Sequence, residues 1–276
     1  MEEQDGQPAI TREDNGSAGA EGNVLEDSFI LEMVNVSVRY GAVSALEDAC
    51  LGVRKGEVVA VMGPNGAGKS TVLKGLMGLA PVVAGQVYWR GERLTSATHE
   101  IVKHGIAFVP QGRRLFTHLT IEENLEMGCP YLIDRPEVRR RMDSVMDLFP
   151  VLHQKRRDLA SQMSGGQQQM LALGRGLMAN PELLLLDEPT LGLAPNIVKE
   201  VFQTVALISE RLGTTIMVVE HNIKGVLDIV DRAYILDTGR VVFEGTPASV
   251  RETNILAEVF LGKVQRADPE EPPDAP

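Results

Sequence analysis

The fold of this chain is decided by eight residues that follow a short apolar run: Gly63-Pro64-Asn65-Gly66-Ala67-Gly68-Lys69-Ser70. They fit the pattern G-x-x-x-x-G-K-[ST] at every fixed position. The run before them, Val58 to Met62, has the length of a buried strand, and the residues after Thr71 repeat apolar side chains at helical spacing. This order of strand, glycine-rich loop and helix predicts a phosphate-binding loop rather than a chance glycine turn.

Each part of the loop has a task in binding phosphate. Glycines let successive backbone N–H groups turn toward an anion, and the N-terminus of the following helix adds partial positive charge. We expect Lys69 to reach the terminal phosphates and the Ser70 hydroxyl to hold Mg2+. The candidate nucleotide-binding residues of this stretch are Gly63, Pro64, Asn65, Gly66, Ala67, Gly68, Lys69, Ser70 and Thr71.

The net charge of −11 is concentrated at the two ends of the chain, where residues 1–28 contribute −7 and residues 265–276 contribute −3. Both ends are polar and are predicted to be disordered acidic tails, which leaves residues 29–264 as the folded domain. The acidity argues only weakly against a nucleic-acid surface, because binding patches are local.

Several features predict a cytoplasmic protein. No run approaches the roughly 18 consecutive apolar residues that cross a bilayer, and the acidic N-terminus does not resemble a signal peptide. The two cysteines, Cys50 and Cys129, lie far apart without metal-ligand spacing, which is typical of reduced thiols.

Short apolar runs on both sides of the loop predict an α/β fold. Before the loop, strands are predicted at residues 30–34, 36–40 and 49–53, forming an antiparallel edge that leads into the loop strand. After it, strands are predicted at 85–90, 105–109, 183–186 and 215–219, and a closing hairpin at 234–236 and 241–243. Residues 117–180 are predicted to be a helical insertion, with a capping box at Thr120–Glu123 and a helix over 135–148.

A second candidate anchor for the metal lies at the end of the apolar run Leu183–Leu186. Asp187 follows the run at the carboxyl edge of the predicted sheet, where it could hold Mg2+ through water. Glu188 comes next and could polarise an attacking water as general base. Alone, such a run could equally be a buried strand that ends in a solvated turn.

The stretch Met163-Ser164-Gly165-Gly166-Gln167-Gln168-Gln169 resembles the signature sequence of ATP-binding cassette (ABC) ATPases, with Met163 where Leu is usual. A Ser-Gly-Gly turn at a helix start is another anion site. In the family this second site faces the phosphate loop of a partner subunit, so that two ATP molecules lie between two cassettes. The resemblance therefore adds Ser164, Gly165, Gly166 and Gln167 to the nucleotide-binding candidates.

Three further residues match the family pattern in order. Tyr40 stands where an aromatic stacks on adenine, although a tyrosine here could instead pack on an edge strand. Gln111 matches the glutamine that touches Mg2+ and water and moves with the membrane partner. His221 matches the switch histidine that contacts the γ-phosphate, although an isolated histidine is more often a structural hydrogen-bonding residue.

One difference from the common family pattern indicates which members of the family this chain resembles. Many cassettes carry Ser-Ala-Leu-Asp after Pro189-Thr190, and here Ala194 stands where that aspartate links the two ATP sites. The chain instead resembles the ATPase subunits of branched-chain amino acid importers, and related importers of urea and short amides share many of the same residues. The stretches that carry this likeness are Gly112–Phe116, Gln168–Ala172, Leu191–Pro195 and Phe260–Gly262.

The resemblance implies an α/β ABC-type ATPase with a P-loop NTPase core, an antiparallel β subdomain and a helical insertion. It also implies ATP and Mg2+, a head-to-tail dimer with an identical or homologous cassette, and membrane permease subunits that dock near residues 111–116. A position on the inner face of the cell membrane and an indirect link to an extracellular solute-binding protein follow, and no nucleic-acid partner is expected.

Three other functions stay open at this point. The cassette could serve an exporter of the lipopolysaccharide type, or it could be a soluble ABC ATPase that acts on nucleic acid or ribosomes. It could also be a regulatory module that binds a nucleotide without hydrolysing it, although Asp187, Glu188 and His221 argue against that function.

Overall fold

The computed structural model describes residues 29–95, 98–130 and 133–261, so both predicted acidic tails and Gly262 lie outside the described residues. The strands are β1 Phe29–Tyr40, β2 Val43–Arg54, β3 Val58–Met62, β4 Val82–Trp89, β5 Glu92–Arg93, β6 Ile106–Val109, β7 Leu183–Asp187, β8 Thr215–Glu220, β9 Arg232–Asp237 and β10 Arg240–Gly245. The helices are α1 Lys69–Leu76, α2 Thr98–Ile101, α3 Ile121–Glu126, α4 Arg135–Leu148, α5 Pro150–Gln154, α6 Gly165–Leu177, α7 Pro195–Leu212, α8 Ile223–Val226, α9 Pro247–Glu252 and α10 Ile255–Phe260. Within these described ranges, every helix is too short or too polar to cross a membrane.

The core is a six-stranded sheet in the order β10-β9-β3-β8-β7-β6. Strands β3, β7 and β8 are buried along their whole length, which explains their continuous apolar sequences. All neighbours from β9 to β6 run parallel, and only β10 is antiparallel. The carboxyl ends of β3, β8, β7 and β6 therefore meet at one edge of the sheet, as the sequence predicts for residues 183–186 and 215–219.

The residues predicted to form an antiparallel edge that leads into the loop strand form a second sheet, in the order β2-β1-β4-β5, and this sheet is the antiparallel β subdomain that the family resemblance implies. The two runs predicted at 30–34 and 36–40 are one strand, β1, interrupted by Asn35 at φ 50°. Gly85 of β4 lies opposite, and a Cβ there would approach the Asn35 carbonyl oxygen to 2.2 Å. Because this bulge keeps the pairing on both sides, the strand continues where the sequence pattern suggests a break.

Helices occupy most of the predicted insertion between residues 117 and 180. The capping box is confirmed, because the backbone N–H of Thr120 donates to Glu123 Oε2 at 2.7 Å and the N–H of Glu123 donates to Thr120 Oγ1 at 3.2 Å. Helix α4 covers the predicted residues 135–148. Helices α3, α4 and α5 all pack on α6, and these four helices form the helical layer.

A buried ion pair joins the two sheets. Arg232 of β9 is 8% exposed, and its guanidinium donates to Glu57 Oε1 and Oε2 at 2.7 and 2.8 Å and to the Gly52 carbonyl of β2 at 2.9 Å. Burial alone would raise the pKa of Glu57, but hydrogen bonds from Arg232 and the Arg54 backbone, with the charges of both arginines, lower it overall. The charged form of Glu57 is therefore the form that stabilises the folded state.

Replacing Glu57 by glutamine should leave the buried Arg232 guanidinium without its two hydrogen bonds to a buried carboxylate. We expect Glu57→Gln to lower the free energy of unfolding by about 3 kcal/mol, measured by urea denaturation at neutral pH. In the wild type, the stabilisation of the folded state by charged Glu57 should be fully present above the unfolded-state pKa of this residue. It should be lost as the pH falls through the lower folded-state pKa.

The matched control is Glu244→Gln, because Glu244 also accepts from Arg232 but its side chain is 50% exposed. Its loss should cost less than about 1 kcal/mol. Equal effects of the two substitutions would contradict the assignment of the joining role to Glu57.

Candidate nucleotide-binding site

The predicted phosphate loop connects β3 to α1, and glycines are needed at two of its positions. A Cβ at Gly63 would lie 2.3 Å from the Leu236 carbonyl oxygen, and one at Gly68 would lie 2.4 Å from the Ala45 carbonyl oxygen. A Cβ added to Gly66, which has φ +84°, would meet no atom within 4 Å. The loop is thus packed against β9 and β2 at its two ends and is open in the middle.

Lys69 is the cation at the centre of this site. It is 5% exposed, and its Nζ donates to the Pro64 carbonyl at 2.9 Å across the loop. Burial lowers the pKa of Lys69, while the nearby carboxylates of Glu188, Asp187 and Glu220 act in the opposite direction. The Lys69 ammonium group is therefore held inside the loop by a backbone carbonyl of the loop. The negatively charged carboxylates lie on the side where the strands end.

Ser70 and Asp187 lie side by side at the ends of α1 and β7. The Ser70 hydroxyl donates to Asp187 Oδ1 at 2.6 Å, and burial is the main reason that the pKa of Asp187 is raised. A hydroxyl and a carboxylate are oxygen ligands of the kind that Mg2+ prefers next to phosphates. The donor set present here therefore fits a magnesium–nucleotide complex.

Glu188 is held in a strained conformation next to this pair. Its φ is 46°, and its backbone N–H donates to the Val219 carbonyl of β8 at 2.9 Å. Its Oε2 accepts a 2.7 Å hydrogen bond from Nε2 of Gln111, which follows β6. A left-handed conformation outside glycine persists only where surrounding contacts impose it, and it often marks a functional residue.

Sequence reasoning missed Glu220, the fully buried last residue of β8. Its carboxylate accepts from the backbone N–H and the hydroxyl of Thr190 at 2.9 and 2.6 Å, and from the N–H groups of His221 and Asn222 at 3.1 and 3.2 Å. It thereby joins the turn after Glu188 to the turn that carries His221. The available signal was an acidic residue that ends an apolar strand immediately before a candidate histidine.

The remaining candidates are placed on more open parts of the structure. His221 has a 41% exposed side chain whose Nδ1 lies 3.8 Å from Glu220 Oε2. Tyr40 is 43% exposed at the end of β1, where it pairs with Val43. Their proposed contacts with nucleotide stay predictions.

The turn at Ser164–Gln167 begins α6 in the helical layer, whereas the phosphate loop connects β3 to α1. It forms a capping box, with the Ser164 N–H donating to Gln167 Oε1 at 3.1 Å, and a Cβ on Gly166 would lie 2.5 Å from Cγ2 of Ile197. Ala194 ends the neighbouring segment at the start of α7 and provides no side-chain cap. The chain therefore presents its two candidate anion-binding elements in different layers.

We expect the Glu220→Gln substitution to disrupt the site through its buried hydrogen bonds. An amide cannot accept from four donors as a carboxylate does, so the free energy of unfolding should fall by about 2 kcal/mol. Urea denaturation measures this change. Glu210→Gln, on an exposed position of α7, is the control and should stay within about 0.5 kcal/mol of the wild type.

A packed phosphate loop, its buried lysine and the serine–aspartate pair define a nucleotide-binding protein of the P-loop class. The model of the family described as "ABC transporter" matches residues 46–191. This chain therefore belongs to the ABC transporter family, and it is an ABC-type ATPase with the α/β fold predicted from the sequence.

Relatives with known names cover most of this chain. A high-affinity branched-chain amino acid transport ATP-binding protein, BraG of Pseudomonas aeruginosa, is 43% identical and is matched over 84% of this chain and 100% of its own length. A probable branched-chain amino acid transport ATP-binding protein, LivF of Archaeoglobus fulgidus, is 39% identical over 85% of this chain and 100% of its own.

Solved structures show the same fold. The ADP conformation of MJ1267, an ATP-binding cassette of an ABC transporter, aligns with a TM-score of 0.77 at 26% identity, over 85% of this chain and 99% of that one. The dimeric structure of MJ0796, a bacterial ABC transporter cassette, aligns with a TM-score of 0.69 at 29% identity, over 79% and 98% of the two chains.

Proposed function

We propose that this protein is the ATP-hydrolysing subunit of an importer for branched-chain amino acids or related amides. The position of Glu188 is the observation that supports ATP hydrolysis. Its carboxylate accepts a hydrogen bond from Gln111 and lies beside the Ser70–Asp187 pair. The names of BraG and LivF support the transported class. They favour import over lipopolysaccharide export and over action on nucleic acid or ribosomes.

Each residue of the site then has a chemical role. Lys69 neutralises the β- and γ-phosphates, and Tyr40 stacks on the adenine ring. Ser70, Asp187 and Gln111 hold Mg2+, which supplies charge stabilisation at the phosphates when it is bound. Glu188 orients and polarises the attacking water, and His221 contacts the γ-phosphate.

Completion of the site by a second cassette is part of this proposal. Ser164–Gln167 lies in the helical layer at the N-terminus of α6, so the positive end of this helix suits the nucleotide of a partner rather than that of the same chain. The dimeric structure of the related cassette MJ0796 supports such an assembly. The partner cassette could be identical to this chain or homologous to it.

A groove beside the Gln111 loop suits a membrane permease. It has a volume of about 340 Å3 and lies between β6 and α6, with Phe116 and Met127 on its rim at 47% and 59% exposure. Exposed apolar side chains around a groove are typical of a docking surface. The proposal places the chain at the inner face of the membrane, and a solute-binding protein takes part indirectly.

The pair Lys69→Ala and Glu188→Gln separates nucleotide binding from hydrolysis. Without its ammonium group the loop should lose ATP binding, whereas Glu188→Gln should keep binding and release phosphate at least about 100-fold more slowly, as loss of a general base does. Fluorescent-nucleotide titration and a phosphate-release assay measure the two steps. Normal turnover by Glu188→Gln would contradict the assignment of the base.

The transported class is tested in cells that lack the gene for this chain. Uptake of radiolabelled leucine should fall to background and should return with the wild-type gene but not with Glu188→Gln. Labelled urea and acetamide, tested in parallel, distinguish the related importers. Unchanged uptake of all three solutes would remove the proposed substrate class and leave the ATPase intact.

A further inference from the structure

We infer that Arg113 is a positioning residue that couples Glu188 to the Ser164–Gln167 turn of the same chain. This inference rests on the proposed function, because it treats Glu188 as the base and the turn as a phosphate site. The side chain of Arg113 would thereby connect two parts of the same chain: the site that contains Glu188, and the Ser164–Gln167 turn. In this sequence Ala194 stands where many cassettes have the linking aspartate.

The backbone of this segment is strained. Gly112, Arg113 and Arg114 have φ values of 85°, 63° and 48°, and the Arg114 N–H donates to the Gly112 carbonyl at 2.6 Å. A left-handed conformation is unfavourable for any residue other than glycine. Because two successive arginines adopt it, other contacts must impose the shape of this loop.

One such contact comes from α6. Nη2 of Arg175 donates to the Arg113 carbonyl at 3.2 Å, and the same guanidinium lies over the Phe116 ring at 5.6 Å. Burial of the guanidinium lowers the pKa of Arg175, and a hydrogen bond in such a desolvated place is stronger than one in water. This hydrogen bond therefore joins the loop to the helix that the Ser164–Gln167 turn begins.

The Arg113 side chain reaches the first turn of that helix. Its Nη1 donates to Gln168 Oε1 at 3.2 Å, and Gln168 Nε2 donates to the Ala160 carbonyl at 3.2 Å. A Cβ added to Gly165 would lie 3.3 Å from Arg113 Nη2, so the guanidinium lies against the first residue of α6. Nothing acidic takes part in these two hydrogen bonds.

This position is unfavourable for a cation in the absence of an anion. The N-terminal end of a helix carries partial positive charge, which repels a cation placed there. A phosphate that arrives at the Ser164–Gln167 turn removes this repulsion and attracts Arg113. The side chain thus responds to the occupancy of the turn.

The other end of the same loop holds the base. Gln111 precedes Arg113 by two residues and donates to Glu188 Oε2 at 2.7 Å. A shift of Arg113 toward a phosphate moves the backbone that carries Gln111 and so changes the orientation of Glu188. Hydrolysis in the chain's own site then depends on the nucleotide held at its turn.

The test measures phosphate release against ATP concentration for the full chain and for Arg113→Gln. We expect kcat to fall about tenfold, the equivalent of one charged hydrogen bond, with KM changed less than twofold and the Hill coefficient reduced toward 1. Arg113→Lys keeps the charge but loses the planar fork, so it should be intermediate. Gln168→Ala should reproduce the Arg113→Gln defect, and the double variant should be no worse than either single one.

The matched control is Arg139→Gln, an exposed arginine of α4, which should leave all three parameters unchanged. Additive losses in the double variant, a raised KM at unchanged kcat, or a Hill coefficient of 1 in the wild type would each overturn the inference. If Arg113→Gln does not fold, Arg113→Lys and Gln168→Ala decide the question. Absence of phosphate release by the wild-type chain would count against the proposed function instead.

Discussion

The site depends on a buried ammonium group that lies among carboxylates. Lys69 is almost fully enclosed, and Asp187, Glu188 and Glu220 supply the negative charge around it. A lone charge in that place would be strongly disfavoured, so the lysine and the strand ends β7 and β8 stabilise each other. The parallel arrangement of the core sheet is what brings these groups together, because it directs the carboxyl ends of neighbouring strands to one edge.

The same enclosed charge accounts for the glycines of the loop. Gly63 and Gly68 allow backbone to pass within van der Waals reach of β9 and of the segment at Ala45, and a side chain at either position would displace the loop. The antiparallel sheet supplies Ala45, so its attachment to the core through Arg232 and Glu57 also supports the shape of the phosphate loop. The stability of the contact between the two sheets and the geometry of the candidate phosphate loop are therefore linked.

Several elements could be predicted from the sequence because their signals are local. The capping box at Thr120, the helix over 135–148 and the buried strands at Leu183 and Thr215 all rest on spacings within a few residues. The separate antiparallel sheet could not be predicted in this way. A strand pattern shows that a residue is extended but not which strand it pairs with, and the bulge at Asn35 depends on a glycine fifty residues away in β4.

The sequence by itself determined that this protein has a phosphate loop, a candidate metal-holding aspartate and the motifs of an ABC ATPase, because each is a short run whose chemistry depends on neighbours in the chain. Only the tertiary structure decided that Glu220 joins the turns at Thr190 and His221 and that Arg113 reaches the start of α6. Such contacts join residues from different strands and layers, and hydrogen bonds form between groups that are close in space whatever their separation along the chain.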